Sequence, residues 1–298
     1  MMDVGSGSNT VTLTEKNSIL GETIAMIGTI LGSELDKITI ERAVVGLFFT
    51  GVKLSNGIAG ASATPIKSIP EAVCCPSSAM SMPFPGKLRG RRAPDLAREA
   101  LSGYGIRRAV GIATVNALAD CCWQRRPHPD VELQPDVDAF DATDIRAGDK
   151  VVVVGAFVPF LKELKRRGHA FLVLEQDPAT LKADELPFFR PADQAAEILP
   201  DADVALITGS TLVTNTLEDL LALIRPEARV TVVGPTVGML PDPFLARGAD
   251  VLGCVRITEP DAFLDLLAEG GSGYHFFGRS AQKLVLTRRA AGFGTKAA

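Results

Sequence analysis

The sequence predicts an α/β protein with two parts: a small α+β part in which strands precede helices, then an open, mostly parallel sheet in which strands and helices alternate. Three observations predict it. Lys150–Val154 (KVVVV), Ala170–Leu174 (AFLVL), Val204–Thr208 (VALIT), Arg229–Val233 (RVTVV) and Val251–Ile257 (VLGCVRI) are short apolar runs separated by helix-length segments, the pattern of parallel strands buried on both faces. Upstream of them, one β-branched and aromatic stretch with a turn signal precedes two helical periods. Between the two regions lies Gln124–Lys150, carrying Pro127, Pro129, Pro135 and seven acidic residues without a sustained apolar period, as expected of an interdomain connection. The expected domains are therefore 1–127 and 128–298, a division that 298 residues and 46% hydrophobic content can fill with two cores.

Charge and leader-like features bound the partners. Lys and Arg number 31 against 35 Asp and Glu, a net charge of −4, and aromatics are 6%, so a nucleic-acid surface is not expected. The longest apolar stretches fall short of the roughly 20 residues a membrane helix needs. Met1–Thr10 is Gly/Ser-rich and has neither the basic nor the apolar region of a signal peptide, and five cysteines is an odd number, so a cytoplasmic location is expected.

In chain order, Glu41–Leu54 (ERAVVGLFFTGVKL) reads as a strand entering a hairpin at Ser55-Asn56-Gly57, with a returning strand over Gly57–Ala63. Thr64–Arg92 is a Pro/Ser/Gly-rich loop with a short strand near Met80–Met82. Pro94 and Asp95 suit the start of a short helix that Gly103 stops. From Ile106, the spacing of Ala109, Val110, Ala113, Ala117 and Cys121 predicts an amphipathic helix to Trp123. The carboxylates of Gln124–Lys150 do not match a calcium loop, since Phe140 and Asp141 stand where a ligand and the turn glycine belong, so the segment reads as a solvated acidic linker. Right-handed crossovers then place Gly155, Glu175, Gly209 and Gly234 along one edge of the parallel sheet, the edge at which such sheets bind ligands.

That edge carries the candidate site. Glu175 follows Gly155 at the spacing of the ribose-binding acid in a dinucleotide fold, but Gly155-Ala156-Phe157-Val158-Pro159 lacks the second and third glycines, so NAD and FAD are not expected; a structural turn with Glu175 hydrogen-bonded at the strand end is the simpler reading. Thr208-Gly209-Ser210-Thr211 is a hydroxyl-rich loop opening a helix, suited to an anionic or carbonyl-bearing ligand. Asn215 and Glu218 have the spacing of a helix-capping pair. Gly234-Pro235-Thr236 begins a loop that is either a pocket wall or an ordinary turn. Asn116 sits at the rim of an apolar helix face, either as a buried amide paired with backbone or as a group reaching the domain interface.

No metal set is legible. The cysteines fall as Cys74-Cys75, Cys121-Cys122 and Cys254, adjacent pairs whose side chains diverge, and the histidines are His128, His169 and His275 without ligand spacing. Cys74 or Cys75 with Met80 and Met82 would offer soft ligands on one loop, although packed thiols and methionines are the commoner outcome. The basic run Lys87, Arg89, Arg91 and Arg92 reads as a solvated loop or a contact to one anion.

Taken together, VGLFFTGVKLSNGIAGAS, PGKLRGRRAPDLAREALSGYGIRRAVGIATVNAL, GDKVVVVGAFVPF, FLVLEQDP, ADVALITGSTLVTNTLEDLL and VVGPTVGMLPDPFLARGADVLGC resemble, in order and spacing, the family called putative heavy-metal chelation proteins, from about Glu41 to about Arg289. Thr214 stands where that family's loop has Asn, and Thr236 replaces a usual Ser. The resemblance implies an enolase-N-terminal-like domain followed by a Rossmann-like domain, and a ligand site in the cleft between them. By motif position the expected lining is Asn116, Gly155, Glu175, Thr208, Gly209, Ser210, Thr211, Asn215, Thr216, Gly234, Pro235 and Thr236. The expected function is binding or handling a heavy-metal ion or metal chelate; the alternative is a transferase or lyase acting on a small anionic metabolite with Glu175 as acid or base. The expected cofactor is at most a transition-metal ion or its chelate, and a homodimer is an open expectation.

Overall fold

The computed structural model describes residues 17–66 and 82–289. Helix α1 (Ile19–Leu31) is capped by the Ser18 hydroxyl, which accepts from Gly21 N, and leads to an antiparallel three-stranded sheet in the order β1 (Ile40–Val45), β2 (Phe49–Leu54), β3 (Ala59–Ala63). The apolar stretch Glu41–Leu54 is thus two strands, because Gly46, Leu47 and Phe48 reverse the chain within it. Short helices α2 (Ala93–Ala97) and α3 (Glu99–Ser102) precede α4 (Gly105–Arg125), the long helix the apolar spacing predicts. α4 lies directly on β3: a Cβ at Gly60 would be 2.3 Å from the Ala113 carbonyl, so only glycine permits that approach.

The linker expectation is corrected. Within Gln124–Lys150 the chain forms β4 (Val131–Pro135) and α5 (Ala139–Ala142), with Val131, Ala139 and Phe140 buried. Few apolar residues suffice there, because β4 is an edge strand with one buried end.

Next come β5 (Val151–Val154), α6 (Val158–Arg167), β6 (Phe171–Glu175), β7 (Phe189–Pro191), α7 (Ala195–Ile198) and β8 (Val204–Thr208). They are followed by α8 (Ser210–Thr214), α9 (Leu217–Leu223), β9 (Arg229–Val233), α10 (Asp242–Leu245) and β10 (Val251–Ile257). Last are α11 (Pro260–Ala268), α12 (Gly273–Phe276) and β11 (Ala281–Arg288). β5 and β8 are buried along nearly their whole length, which is why their sequences are unbroken apolar runs. α6 turns its apolar face (Phe160, Leu161, Leu164) inward, ends in Lys165–Arg167, which suit its negative end, and stops at Gly168 with φ +73°.

The large sheet has the order β4-β11-β10-β9-β8-β5-β6-β7, with the six strands from β10 to β7 parallel and β11 and β4 antiparallel additions. Counted from β5, the parallel part has the doubly wound order 3-2-1-4-5-6, whose reversal point lies between β5 and β8. The two sheets share one core: Ile27, Val52, Ile112 and Leu118 belong to the same buried cluster as Val152, Ile207, Leu217 and Phe244.

Candidate functional site

At the reversal point, the ends of β5 and β8 touch. Gly155 has φ +90°, and a Cβ there would lie 2.6 Å from Thr208 Cγ2, so the glycine is required both by its backbone and by its neighbour. Gly209 N donates to Val233 O at 2.7 Å and Gly234 N to Gly253 O at 2.8 Å, stepping the edge onward to β9 and β10. Gly155, Glu175, Thr208, Gly209, Ser210, Thr211 and Gly234 are therefore brought to one edge, as expected.

Their hydroxyls are arranged locally. Thr208 Oγ1 and Ser210 Oγ share a hydrogen bond of 3.1 Å, while Thr211 Oγ1 turns back to donate to Thr208 O at 2.7 Å. Thr208 and Ser210 are half-buried, whereas Thr211 is buried, so the first two are the pair that can meet a ligand. The Glu175 carboxylate faces backbone: Oε2 accepts from Ala156 N at 2.8 Å, and Oε1 accepts from Gln176 N at 2.8 Å and Asp177 N at 3.3 Å.

Three other expected residues form the seam between the sheets. Asn116 is buried, and its Nδ2 donates to Ala61 O at 2.7 Å, Thr236 O at 2.9 Å and Pro235 O at 3.3 Å. Thr236, also buried, accepts from Ala63 N through Oγ1 at 2.9 Å. Each reading of Asn116 holds in part: its Nδ2 is paired with backbone of both the small sheet and the loop after β9, while its Oδ1 is buried without a partner among the described residues. The cavity it lines with Asp120, Trp123 and Cys254 is only ≈ 20 Å³, room for about one water. A larger hollow, ≈ 490 Å³, lies between Leu31, Ile38, Asn56, Cys121 and Arg125 and includes none of the expected residues.

Asn215 and Thr216 are carried away from the edge by α8. Asn215 takes the left-handed conformation (φ +60°) that ends α8, and its Oδ1 accepts from Arg108 Nη2 at 2.6 Å. Thr216 shares a hydrogen bond with Thr214, 3.0 Å between their hydroxyls. The capping-pair reading of Asn215 with Glu218 is corrected, since Glu218 Oε1 instead accepts from Ile19 N at 2.7 Å. Both side chains are claimed by partners about 100 and 200 positions away, which local spacing cannot reveal.

Sequence reasoning missed Arg108. It is buried, and its Nε donates to Leu212 O at 2.9 Å, a cation closing the negative end of the helix that the hydroxyl loop opens. An arginine inside the apolar period of α4 was the available signal.

Among the described residues no three His, Cys, Asp or Glu side chains converge as a metal site. Cys121, Cys122 and Cys254 are buried free thiols, and burial pushes Cys122 and Cys254 up to about 12. Such thiols are protonated and poor metal ligands at neutral pH. Cys74, Cys75 and Met80 lie outside the described residues. A bare soft ion therefore finds no ligand set in the described fold. Also among the described residues, no helix is long and apolar enough to cross a membrane.

Comparisons with known proteins agree with this architecture. Two family models, both described as putative heavy-metal chelation, match residues 29–119 and 138–286. A protein of unknown function from Pyrococcus horikoshii, in the family of the second model, has a crystal structure similar to this chain at TM-score 0.67 and 17% identity, covering 89% of this chain and 98% of that one. Another of the same family, from Desulfitobacterium hafniense, gives TM-score 0.65 and 20% identity over 89% and 98%. An uncharacterized protein of Methanocaldococcus jannaschii is 27% identical over 180 residues, which is 59% of this chain and 64% of that protein's own length.

Proposed function

Because this chain belongs to the putative heavy-metal chelation family, we propose that it binds a metal as a chelate, held through the oxygen atoms of its organic ligand at the sheet edge where β5 meets β8. The observation that carries this reading is the chemistry of that edge: paired Thr208 and Ser210 hydroxyls beside Gly155, with no acid, thiol or imidazole cluster among the described residues. Hydroxyls and amides recognise carboxylates and carbonyls by hydrogen bonding, whereas a soft ion is gripped by thiolates and imidazoles. The metal is cargo here, and the chain's work is recognition of its organic coat.

Glu175 as an acid or base gains no support from the geometry, because three backbone amides already hold both of its oxygens. The seam is likewise a poor place for the ligand, being packed around Asn116 and Thr236. The expected cleft is replaced in this proposal by the open edge beside it.

The test is calorimetry and native mass spectrometry with three probes: Ni(II) alone, citrate alone and the Ni(II)–citrate complex. The complex is expected to bind and to raise the unfolding midpoint, and the double variant Thr208→Val/Ser210→Ala to weaken it at least tenfold, about 1.4 kcal/mol. Binding of Ni(II) alone that survives the double variant but is lost in Cys74→Ser/Cys75→Ser would overturn the proposal in favour of a bare-ion site.

A further inference from the structure

In a doubly wound sheet the turn after the first strand is an anion seat: its amides and the positive end of the following helix point at a ligand phosphate. Here that turn is Gly155–Val158, leading into α6. Three of its four amides are engaged within the chain, and Val158 N alone has no hydrogen-bond partner among the described residues. Gly155 N donates to Leu174 O at 2.8 Å and Phe157 N to Gly155 O at 2.8 Å, and Pro159 has no N–H. Ala156 N donates to Glu175 Oε2 at 2.8 Å. The other carboxylate oxygen takes the next two amides of the neighbouring strand end, Gln176 N and Asp177 N. A carboxylate supplied by the chain, standing where a dinucleotide fold keeps its ribose-binding acid, thus reaches across to take an amide of the anion-binding turn, with the Phe157 ring packed edge-on against Phe160 at 4.7 Å beside it.

We propose that Glu175 is a built-in anion that fills the phosphate seat of this fold, and is thereby the specificity-determining residue that turns away nucleotides and other phosphate-bearing ligands. Two negative groups cannot share the Ala156 amide, so a pyrophosphate in the turn would face the charge of a carboxylate tethered beside it by its own backbone. The β8 side, with Thr208 and Ser210, is left as the approach for a ligand without phosphate. This last step rests on the proposed function; the filled seat does not.

Glu175→Ala would leave Ala156, Gln176 and Asp177 amides around a carboxylate-sized space. Its unfolding midpoint is expected to fall by several degrees and to recover by at least half in 50–100 mM formate or acetate (order-of-magnitude concentrations for a weak small-anion site), against chloride at equal ionic strength, while wild type gains nothing. Glu175→Gln keeps one acceptor oxygen and the side-chain volume, so it is expected to lose less and to show no rescue. If Glu175→Ala does not fold, its refolding yield with and without formate gives the same readout. NAD and ADP are expected to leave the wild-type midpoint unchanged. Absence of formate- or acetate-dependent rescue in Glu175→Ala, or wild-type binding of NAD or ADP at micromolar concentration, overturns the inference. Failure of Ni(II)–citrate to bind, with rescue intact, would instead remove the proposed function and leave the filled seat standing.

Discussion

Replacing Asn116 probes the seam most directly, because one side chain there serves three carbonyls. In Asn116→Leu the donors to Ala61 O (2.7 Å) and Thr236 O (2.9 Å) disappear, as does the longer contact to Pro235 O. Each short bond contributes about 1 kcal/mol net, and each carbonyl left buried without a donor costs roughly 1–3 kcal/mol. One term runs the other way: Asn116 Oδ1 is buried without a hydrogen-bond partner among the described residues, and leucine removes that unpaired acceptor. The balance is a loss of about 2 kcal/mol. Asn116→Asp keeps the volume but turns acceptor oxygens toward three carbonyls, so at neutral pH the loss rises to about 4 kcal/mol. Acid should restore part of it, because the protonated carboxyl can donate again; the stability of Asn116→Asp relative to Asn116→Leu therefore falls as pH rises. Urea unfolding followed by the fluorescence of Trp123, the single tryptophan and a wall of the same cavity, reads both variants. An aspartate variant as stable as the leucine variant at pH 7 refutes the donor accounting.

Arg108→Met should cost about 3 kcal/mol, since it leaves Leu212 O and Asn215 Oδ1 without their charged donor, and should speed amide hydrogen exchange over residues 210–216; unchanged exchange there would show that α8 holds itself. Gly155→Ala combines a positive φ with a 2.6 Å approach to Thr208 Cγ2, and is expected to cost more than about 2 kcal/mol, of which Thr208→Ser, lacking that methyl, restores part; strict additivity in the double-mutant cycle would show that the contact is not the cause. By contrast, Gly168→Ala has a positive φ but open space around it, and should cost only about 1 kcal/mol. Cys122 and Cys254, pushed up to about 12 by burial, should resist iodoacetamide at pH 8 in the native protein and react at once in denaturant; fast native labelling would show that the core opens there.

The parallel strands were legible because they are buried on both faces: β8, β9 and β10 run over the same residues as the apolar segments that predict them. The edge strands were not. β4 and β7 each bury little and need no apolar run; β11, which lies inside the sheet between β4 and β10, was missed as well because Gln282 and Lys283 interrupt its buried residues. The two halves of the candidate site divide in the same way. Gly155, Glu175 and Thr208–Ser210 are placed by strand ends, so a correct strand list brings them together. Asn116, Asn215 and Glu218 are placed by hydrogen bonds across 199 positions or fewer, and nothing local distinguishes those partners.

One helix explains why these long-range ties fall where they do. Arg108 and Asn116 are eight positions apart on α4, about two turns or 12 Å, and so share a face. Arg108 grips the end of α8 through Leu212 and Asn215, while Asn116 grips the loop after β9 through Pro235 and Thr236. Those are the two segments that leave the large sheet beside the hydroxyl pair. α4 lies largely within the first matched family segment, and the loops it holds lie in the second. A polar tie buried in an apolar interface contributes little net stability compared with apolar packing, but it fixes geometry, since only one register satisfies every donor. On this argument the first segment acts as a splint that sets the spacing between the β8 and β9 loops. On the proposed function, loosening either grip should weaken binding of the chelate at Thr208 and Ser210 as well as the fold, and by less than removal of the two hydroxyls themselves.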